Sequence, residues 1–283
     1  MKKTNLCCAA LLLAGGIAQA QLVDEFNPPP SACCLVGNAR TLADQLQDWN
    51  MLGRYRLANE ELKKLPAEAG RVVFMGDSIT DFWRLGDYFP GKPYVNRGIG
   101  GQTTPQMLVR MYPDVIELKP AAMVVLAGTN DIARNTGPST ADMIEQNVMA
   151  MTELAQHHGI KTILCSVLPV SDYPFQAQQA QPAQAGRGGQ AGAPGAGGPG
   201  RGMMRAMRQT PGRPPEQIVK LNAWMKDYAS KAGAVYCDYF SAVVDEKGWL
   251  KEGISGDGLH PNADGYKIMA PITSAAIEQA LRR

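Results

Sequence analysis

The chain contains three histidines, so acid–base chemistry has few places to reside. His157 and His158 are adjacent, close a helical pattern and precede Gly159. Cations sit well at the negative pole of a helix and glycine commonly ends one, so a structural role accounts for both. His260 differs, because it lies in the loop Gly256-Asp257-Gly258-Leu259-His260-Pro261 before a final helical stretch. The glycines beside Asp257 let its carboxylate turn back onto the His260 imidazole. Such a pairing fixes the tautomer and stabilises the imidazolium formed when the ring takes a proton. A base of this kind needs a nucleophile to activate. Ser78 follows the apolar run Val72-Val73-Phe74-Met75-Gly76-Asp77, and Gly76 permits a sharp turn from strand to helix. A serine in this place can also be a plain helix cap. It is not the G-x-S-x-G elbow, since Asp77 precedes it and Ile79-Thr80 follow.

Two further segments could stabilise charge on a reacting oxygen. Asn96-Arg97-Gly98-Ile99-Gly100-Gly101-Gln102-Thr103 clusters glycines, which allow close approach and leave backbone N–H groups exposed. A phosphate cradle is the competing reading, but the G-x-G-x-x-G spacing is absent. Gly128-Thr129-Asn130-Asp131 follows another apolar run, and Asn130 could present its side-chain amide or simply cap a helix. Nucleophile, base, orienting carboxylate and two sources of donors together satisfy the requirements of acyl transfer.

The elements that must position these residues follow from periodicity. Short apolar runs at 71–75, 93–95, 121–127, 161–168 and 234–237 are continuously apolar, as strands covered on both faces should be. Between them, 138–158 aligns Ile144, Val148, Met151 and Ala155, and 215–232 aligns Ile218, Leu221, Met225 and Tyr228 at helical spacing. A helical pattern over 40–65 breaks at Leu52-Gly53 and is closed by Pro66. The last helix, 263–281, contains Pro271, which should kink it or mark its start. Alternating strands and helices predict a parallel sheet with helices on both faces, and place a site beyond the carboxyl ends of the strands.

One stretch departs from this pattern. Residues 176–215 are built largely from Gln, Ala, Gly, Pro and Arg, with little to bury, and are expected to be disordered. They leave from the edge where the site should lie. They read either as a tolerated surface insertion or as a mobile flap or cationic tether.

Composition narrows the class further. The 283 residues are 45% hydrophobic and 19% charged, enough for a substantial core. The formal charge of +2 includes Lys2, Lys3 and the five arginines of 176–215, so the remainder carries −5. An acidic body argues against nucleic acid as a partner. Residues 1–20 have two lysines, an apolar run and Ala18-Gln19-Ala20, the three parts of a secretory signal peptide cleaved near Ala20. That run is too short for a spanning anchor, so no stable membrane insertion is expected. The predicted localisation is secreted or periplasmic. Residues 21–39, with Pro28-Pro29-Pro30, read as a linker ahead of one domain over 40–283. Cys33, Cys34, Cys165 and Cys237 remain after cleavage. Cys165 and Cys237 lie in strand-like runs as buried thiols, with a disulfide between them the alternative. No CxxC and few histidines mean that no zinc site is expected.

GDS at 76–78, the glycine block ending at Gly101, GTND at 128–131 and DGLHP at 257–261 resemble the four blocks of the GDSL/SGNH hydrolases, in the same order over roughly 71–265. The resemblance implies a three-layer αβα sandwich on a flavodoxin-like five-stranded parallel sheet of order 2-1-3-4-5. It also implies Ser78 as nucleophile, His260 as base and Asp257 as its orienting carboxylate. The oxyanion donors would be Gly101 N–H, the Asn130 amide and the N–H of Ser78 itself. No cofactor is implied. NRGIGGQTT and GTNDIA are more similar to the acetylhydrolases related to platelet-activating-factor acetylhydrolase and to bacterial carbohydrate acetylesterases. A serine esterase for short acyl esters, acetyl on carbohydrate above all, is the expectation, with a small-molecule or polysaccharide ester as its partner. A lysophospholipase or thioesterase is the alternative, and a silent carbohydrate-binding module is a more distant one. Trp83 and Trp249 lie near the blocks and could stack on sugar or pack internally.

Overall fold

A computed structural model describes residues 43, 46–65, 70–180 and 207–282. The signal-peptide and linker segments, Cys33, Cys34 and residues 181–206 lie outside the described residues. One compact unit spans Asp48–Arg283.

Five strands, β1 (Val72–Gly76), β2 (Tyr94–Gly98), β3 (Ala122–Leu126), β4 (Lys161–Cys165) and β5 (Val235–Cys237), form one sheet of order β2-β1-β3-β4-β5. All four pairings are parallel. This is the fold and strand order that the four motif blocks implied. Every residue of β1 and β3 is buried, which explains why their sequences are apolar without alternation.

Successive side chains of a strand still go to opposite sides. Val73 and Met75 join Met123, Val125 and Leu164 in a core with Val148, Met151, Leu221 and Met225. Those partners come from α2 (Ala141–His157) and α3 (Pro215–Lys231). Val72 and Phe74 face the other way, into a core with Trp83, Tyr239, Met269 and Ile277. Met269 and Ile277 come from α4 (Ala263–Arg282). Two apolar layers thus clamp the sheet between helices.

The structure decides three details that the sequence pattern raised. The helical pattern over 40–65 is broken as its sequence predicts: residues 43, 46 and 47 are helical, and after the break the chain forms α1 (Arg56–Lys64). Ahead of it, the Asp48 carboxylate accepts the N–H groups of Leu52 and Gly53, and Met51 takes a left-handed φ of 55°, which turns the chain out of helix. Second, Pro271 does not start the last helix. The start is at Ala263, where the Asn262 side chain accepts the N–H groups of Asp264 and Gly265 as a cap. Third, Cys165 and Cys237 are register partners on adjacent strands and are the free, buried thiols expected of their strand-like runs, and not the alternative disulfide. Burial pushes the Cys165 thiol well above its ordinary range. No described helix is long and apolar enough to cross a membrane.

Candidate active site

The site begins where β1 ends. Gly76 is the last strand residue, and a Cβ there would lie 2.1 Å from Thr80 Oγ1 and 2.8 Å from the Leu126 carbonyl oxygen. Only glycine lets β1 run this close to β3 and then turn at once into the helical turn Ser78–Asp81. Asp77 caps that turn, its Oδ1 accepting the Ile79 N–H at 2.9 Å. Ser78 is therefore the first helical residue rather than the cap, and its side chain is left for other use. It is 8% exposed.

His260 reaches it from the far end of the chain. Its Nε2 is 2.8 Å from Ser78 Oγ, across 182 positions of sequence. Its Nδ1 is 2.6 Å from Asp257 Oδ2. Asp257 Oδ1 accepts the N–H groups of Leu259 and His260, at 2.9 and 2.8 Å, so the carboxylate is wrapped by its own loop. Burial opposes ionisation of Asp257. The ring of His260 and these N–H groups outweigh it and hold the carboxyl well below the usual carboxylate range. Gly258 makes the wrap possible: its φ is +80°, and a Cβ would lie 2.0 Å from the Ser171 carbonyl oxygen.

The predicted oxyanion donors come to the same edge. Gly101 follows β2, and its neighbour Gly100 lies so close that a Cβ there would be 3.8 Å from Ser78 Cβ. Gly100 N–H is occupied, donating to Asp81 Oδ2 at 3.1 Å. The N–H groups of Ser78 and Gly101 donate to no acceptor among the described residues. Asn130 stands in the turn Thr129–Ile132 after β3, and its Nδ2 donates one hydrogen to the Gln102 carbonyl at 3.0 Å. An amide nitrogen carries two hydrogens, so one remains. The structure thus brings Ser78, Gly101, Asn130, Asp257 and His260 to the carboxyl ends of β1, β2 and β3 and the loop before α4.

The other sequence candidates separate. His157 and His158 end α2, and His158 packs edge-on against Tyr112. Trp83 is buried and stacks on Tyr266, its ring centroid 5.1 Å away, so it serves the core. Trp249 packs edge-on against Tyr173.

Three features escaped the sequence reading. Phe82, 57% exposed, lies beside His260 with ring centroids 5.2 Å apart. Its place four residues after Ser78, on the same side of a helical turn, was the available signal. Residues 173–180 form a helix, and Gln209 and Thr210 hydrogen-bond to Asp172 of the body, contacts that composition did not indicate for the two ends of the stretch. Burial of Asp77 is the third. Desolvation pushes its carboxyl up to about 7, against the Ile79 N–H bond and the fields of His260 and Arg213, and its Oδ2 has no hydrogen-bond partner among the described residues.

The last of these gives a pH prediction. A carboxyl that is raised in the native state and ordinary when unfolded keeps a proton that the unfolded chain has already lost. Stability from Asp77 is therefore present below about pH 4 and is lost as pH rises through about 7. Asp77→Asn removes the titration. The variant's stability relative to wild type should rise between pH 4 and pH 8, by about 4 kcal/mol at most. Urea melts of both proteins at the two pH values measure this, and parallel profiles would contradict it.

With this geometry in place, comparison with known proteins defines the class. The model of the GDSL-like Lipase/Acylhydrolase family matches residues 74–268. The chain belongs to this family of acylhydrolases. A GDSL-like lipase from Bacteroides thetaiotaomicron superposes with a TM-score of 0.65 at 35% identity, covering 82% of this chain and 98% of that one. Two curated relatives are each 32% identical. One is an uncharacterized lipoprotein of Bacillus subtilis, aligned over 35% of this chain and 49% of its own length. The other is the human platelet-activating factor acetylhydrolase IB subunit alpha2, aligned over 38% of this chain and 48% of its own length. The chain therefore spans about half the length of the curated relatives it matches.

Proposed function

We propose that this acylhydrolase is a serine esterase that cleaves short acyl esters, acetyl groups on carbohydrate in particular. The relay from Asp257 through His260 to Ser78 Oγ, at 2.6 and 2.8 Å, carries the reading. His260 Nε2 takes the hydroxyl proton as Ser78 Oγ attacks the ester carbonyl, and ionised Asp257 stabilises the imidazolium. Negative charge on the tetrahedral oxygen is met by the N–H groups of Ser78 and Gly101 and the second amide hydrogen of Asn130. His260 then protonates the leaving alcohol, and water attacks the acyl-enzyme by the same route in reverse. Each step uses only these side chains, two backbone N–H groups and water.

Two observations support the substrate assignment. One relative is named an acetylhydrolase. The exposed Phe82 ring beside His260 offers an apolar face to the alcohol that His260 must protonate, and a sugar ring stacks well on such a face. A series of chromogenic esters from acetyl to decanoyl, with acetylated xylooligosaccharides alongside, tests the assignment. The expected order has acetyl esters highest in kcat/KM, with release of acetate from the oligosaccharides. Activity that rises with chain length would instead favour a lysophospholipase.

A further inference from the structure

The return limb of the glycine- and arginine-rich stretch is tied to the body at one buried carboxylate. Asp172 is 2% exposed. Its Oδ1 accepts the N–H groups of Gln209 and Thr210 at 2.7 and 3.1 Å, and its Oδ2 accepts the Thr210 hydroxyl at 2.7 Å and Arg208 Nε at 3.1 Å. The Gln209 side chain donates to the Asp257 carbonyl at 3.3 Å, so this anchor also touches the loop that carries His260.

The anchor delivers Arg213. Its Nε donates to Thr129 Oγ1 at 3.1 Å, its Nη1 to Gln209 Oε1 at 3.2 Å and its Nη2 to Asn130 Oδ1 at 3.2 Å. All three acceptors are neutral. The carboxylates whose fields favour its charge, against the burial that opposes it, are those of Asp77 and Asp257. A guanidinium therefore sits behind the oxyanion pocket, bonded to one of the pocket's donors.

The consequence lies in the chemistry of an amide. The two ends of an asparagine side chain are nearly isosteric, and which end points where is decided by its partners. A guanidinium only donates, so it can face only Oδ1. The Gln102 carbonyl only accepts, so it can face only Nδ2. The two partners allow one orientation, with Nδ2 toward the glycine loop. Positive charge on Oδ1 also polarises the amide and makes its remaining N–H a stronger donor.

We propose that Arg213 is a positioning residue of the oxyanion hole, holding the Asn130 amide in its donating orientation, and that residues 207–213 are kept in place for this purpose by Asp172. The inference rests on the esterase reading above, in which Asn130 faces the oxyanion. It gives the limb a role in catalysis that neither a surface insertion nor a flap would have.

The test uses the full chain and a chromogenic acetyl ester. Arg213→Gln should lower kcat by about 10- to 100-fold while KM stays within about threefold, because an oxyanion donor acts in the transition state. Arg213→Lys keeps charge but not the fork, and should recover only part of the loss. Asp172→Asn should fall in the same direction. In an Asn130→Ala background, Arg213→Gln should cost less than about twofold more, since the arginine acts through that amide. A purely structural arginine would cost the same factor in both backgrounds, and that result would overturn the proposal. So would a kcat within twofold of wild type, or an effect confined to KM. If Ser78→Ala is inactive while Arg213→Gln is unimpaired, only the positioning role falls. If Ser78→Ala remains active, the esterase reading falls with it.

Discussion

Ser78→Ala should reduce kcat for a chromogenic acetyl ester by about 10⁶-fold, leaving a trace of activity above water. The size follows from what the hydroxyl does in the proposed mechanism. Without Oγ there is no acyl-enzyme, and His260 Nε2 loses the partner now 2.8 Å away. The remaining groups could still polarise a carbonyl for direct attack by water. Such residual catalysis by the hole alone is typically about 10³–10⁴ over the uncatalysed reaction. The fold should tolerate the change. Ser78 makes no capping bond, since Asp77 caps the turn, and the β1 core beneath it is apolar and complete. Unchanged melting temperature with lost turnover is the expected pair of results. Activity within tenfold of wild type would sink the assignment.

Asp257→Asn should cost about 10⁴-fold in kcat, with little change in KM. The carboxylate accepts from His260 Nδ1 and from two backbone N–H groups, and it is held well below the ordinary range. An asparagine can keep one oxygen toward Leu259 and His260 N–H, but it then turns its NH₂ group toward Nδ1. The ring answers by moving its proton to Nε2, where it faces Ser78 Oγ as a donor and no longer as a base. An imidazolium formed in the transition state also loses its counter-charge. The same geometry implies an acid limit: a depressed carboxyl stabilises the fold above the ordinary Asp range, and that contribution is lost as pH falls through its native value. Measuring kcat across pH for both proteins checks the tautomer argument. A variant losing less than about tenfold would leave Asp257 a structural residue only.

Much of the site was legible because its parts are local. Asp257 and His260 are three residues apart, and a glycine between them marks a tight reversal; the structure confirms a φ of +80° there. Gly76 before Asp77-Ser78 marks the sharp strand-to-helix turn, and the close contact with Thr80 and Leu126 gives its cause. The sheet was legible for a similar reason. Burial on both faces leaves continuous apolar runs, and β1 and β3 are buried along their whole length. Cys165 and Cys237 show the limit of such reasoning. Two buried thiols in strands were visible in sequence, but their register pairing without a bond was not.

Arg213 could not have been found this way. It stands among Pro, Gly and Gln, with no periodicity or motif around it. Its partners, Thr129 and Asn130, are 84 and 83 positions away. Phe82 was marked only by its spacing from Ser78, because an aromatic after a helical turn is usually core, and its exposure depends on what packs above it. Composition gave no sign of these contacts either, since low hydrophobicity offers little to bury, whereas a single buried carboxylate at Asp172 collects four hydrogen bonds from residues 208–210.

The sequence by itself determined the ordering of strands and helices, the family's four blocks, and which serine, histidine and aspartate are candidates for chemistry. Those properties depend on residues within a few positions of one another, where sterics, burial period and glycine φ act directly. Tertiary structure alone decided that Ser78 Oγ and His260 Nε2 meet at 2.8 Å, that Phe82 faces outward beside them, and that Arg213 grips Asn130. Hydrogen-bond distances between remote residues are set by strand register and by the crossovers that stack helices on the sheet, and no local pattern carries that information.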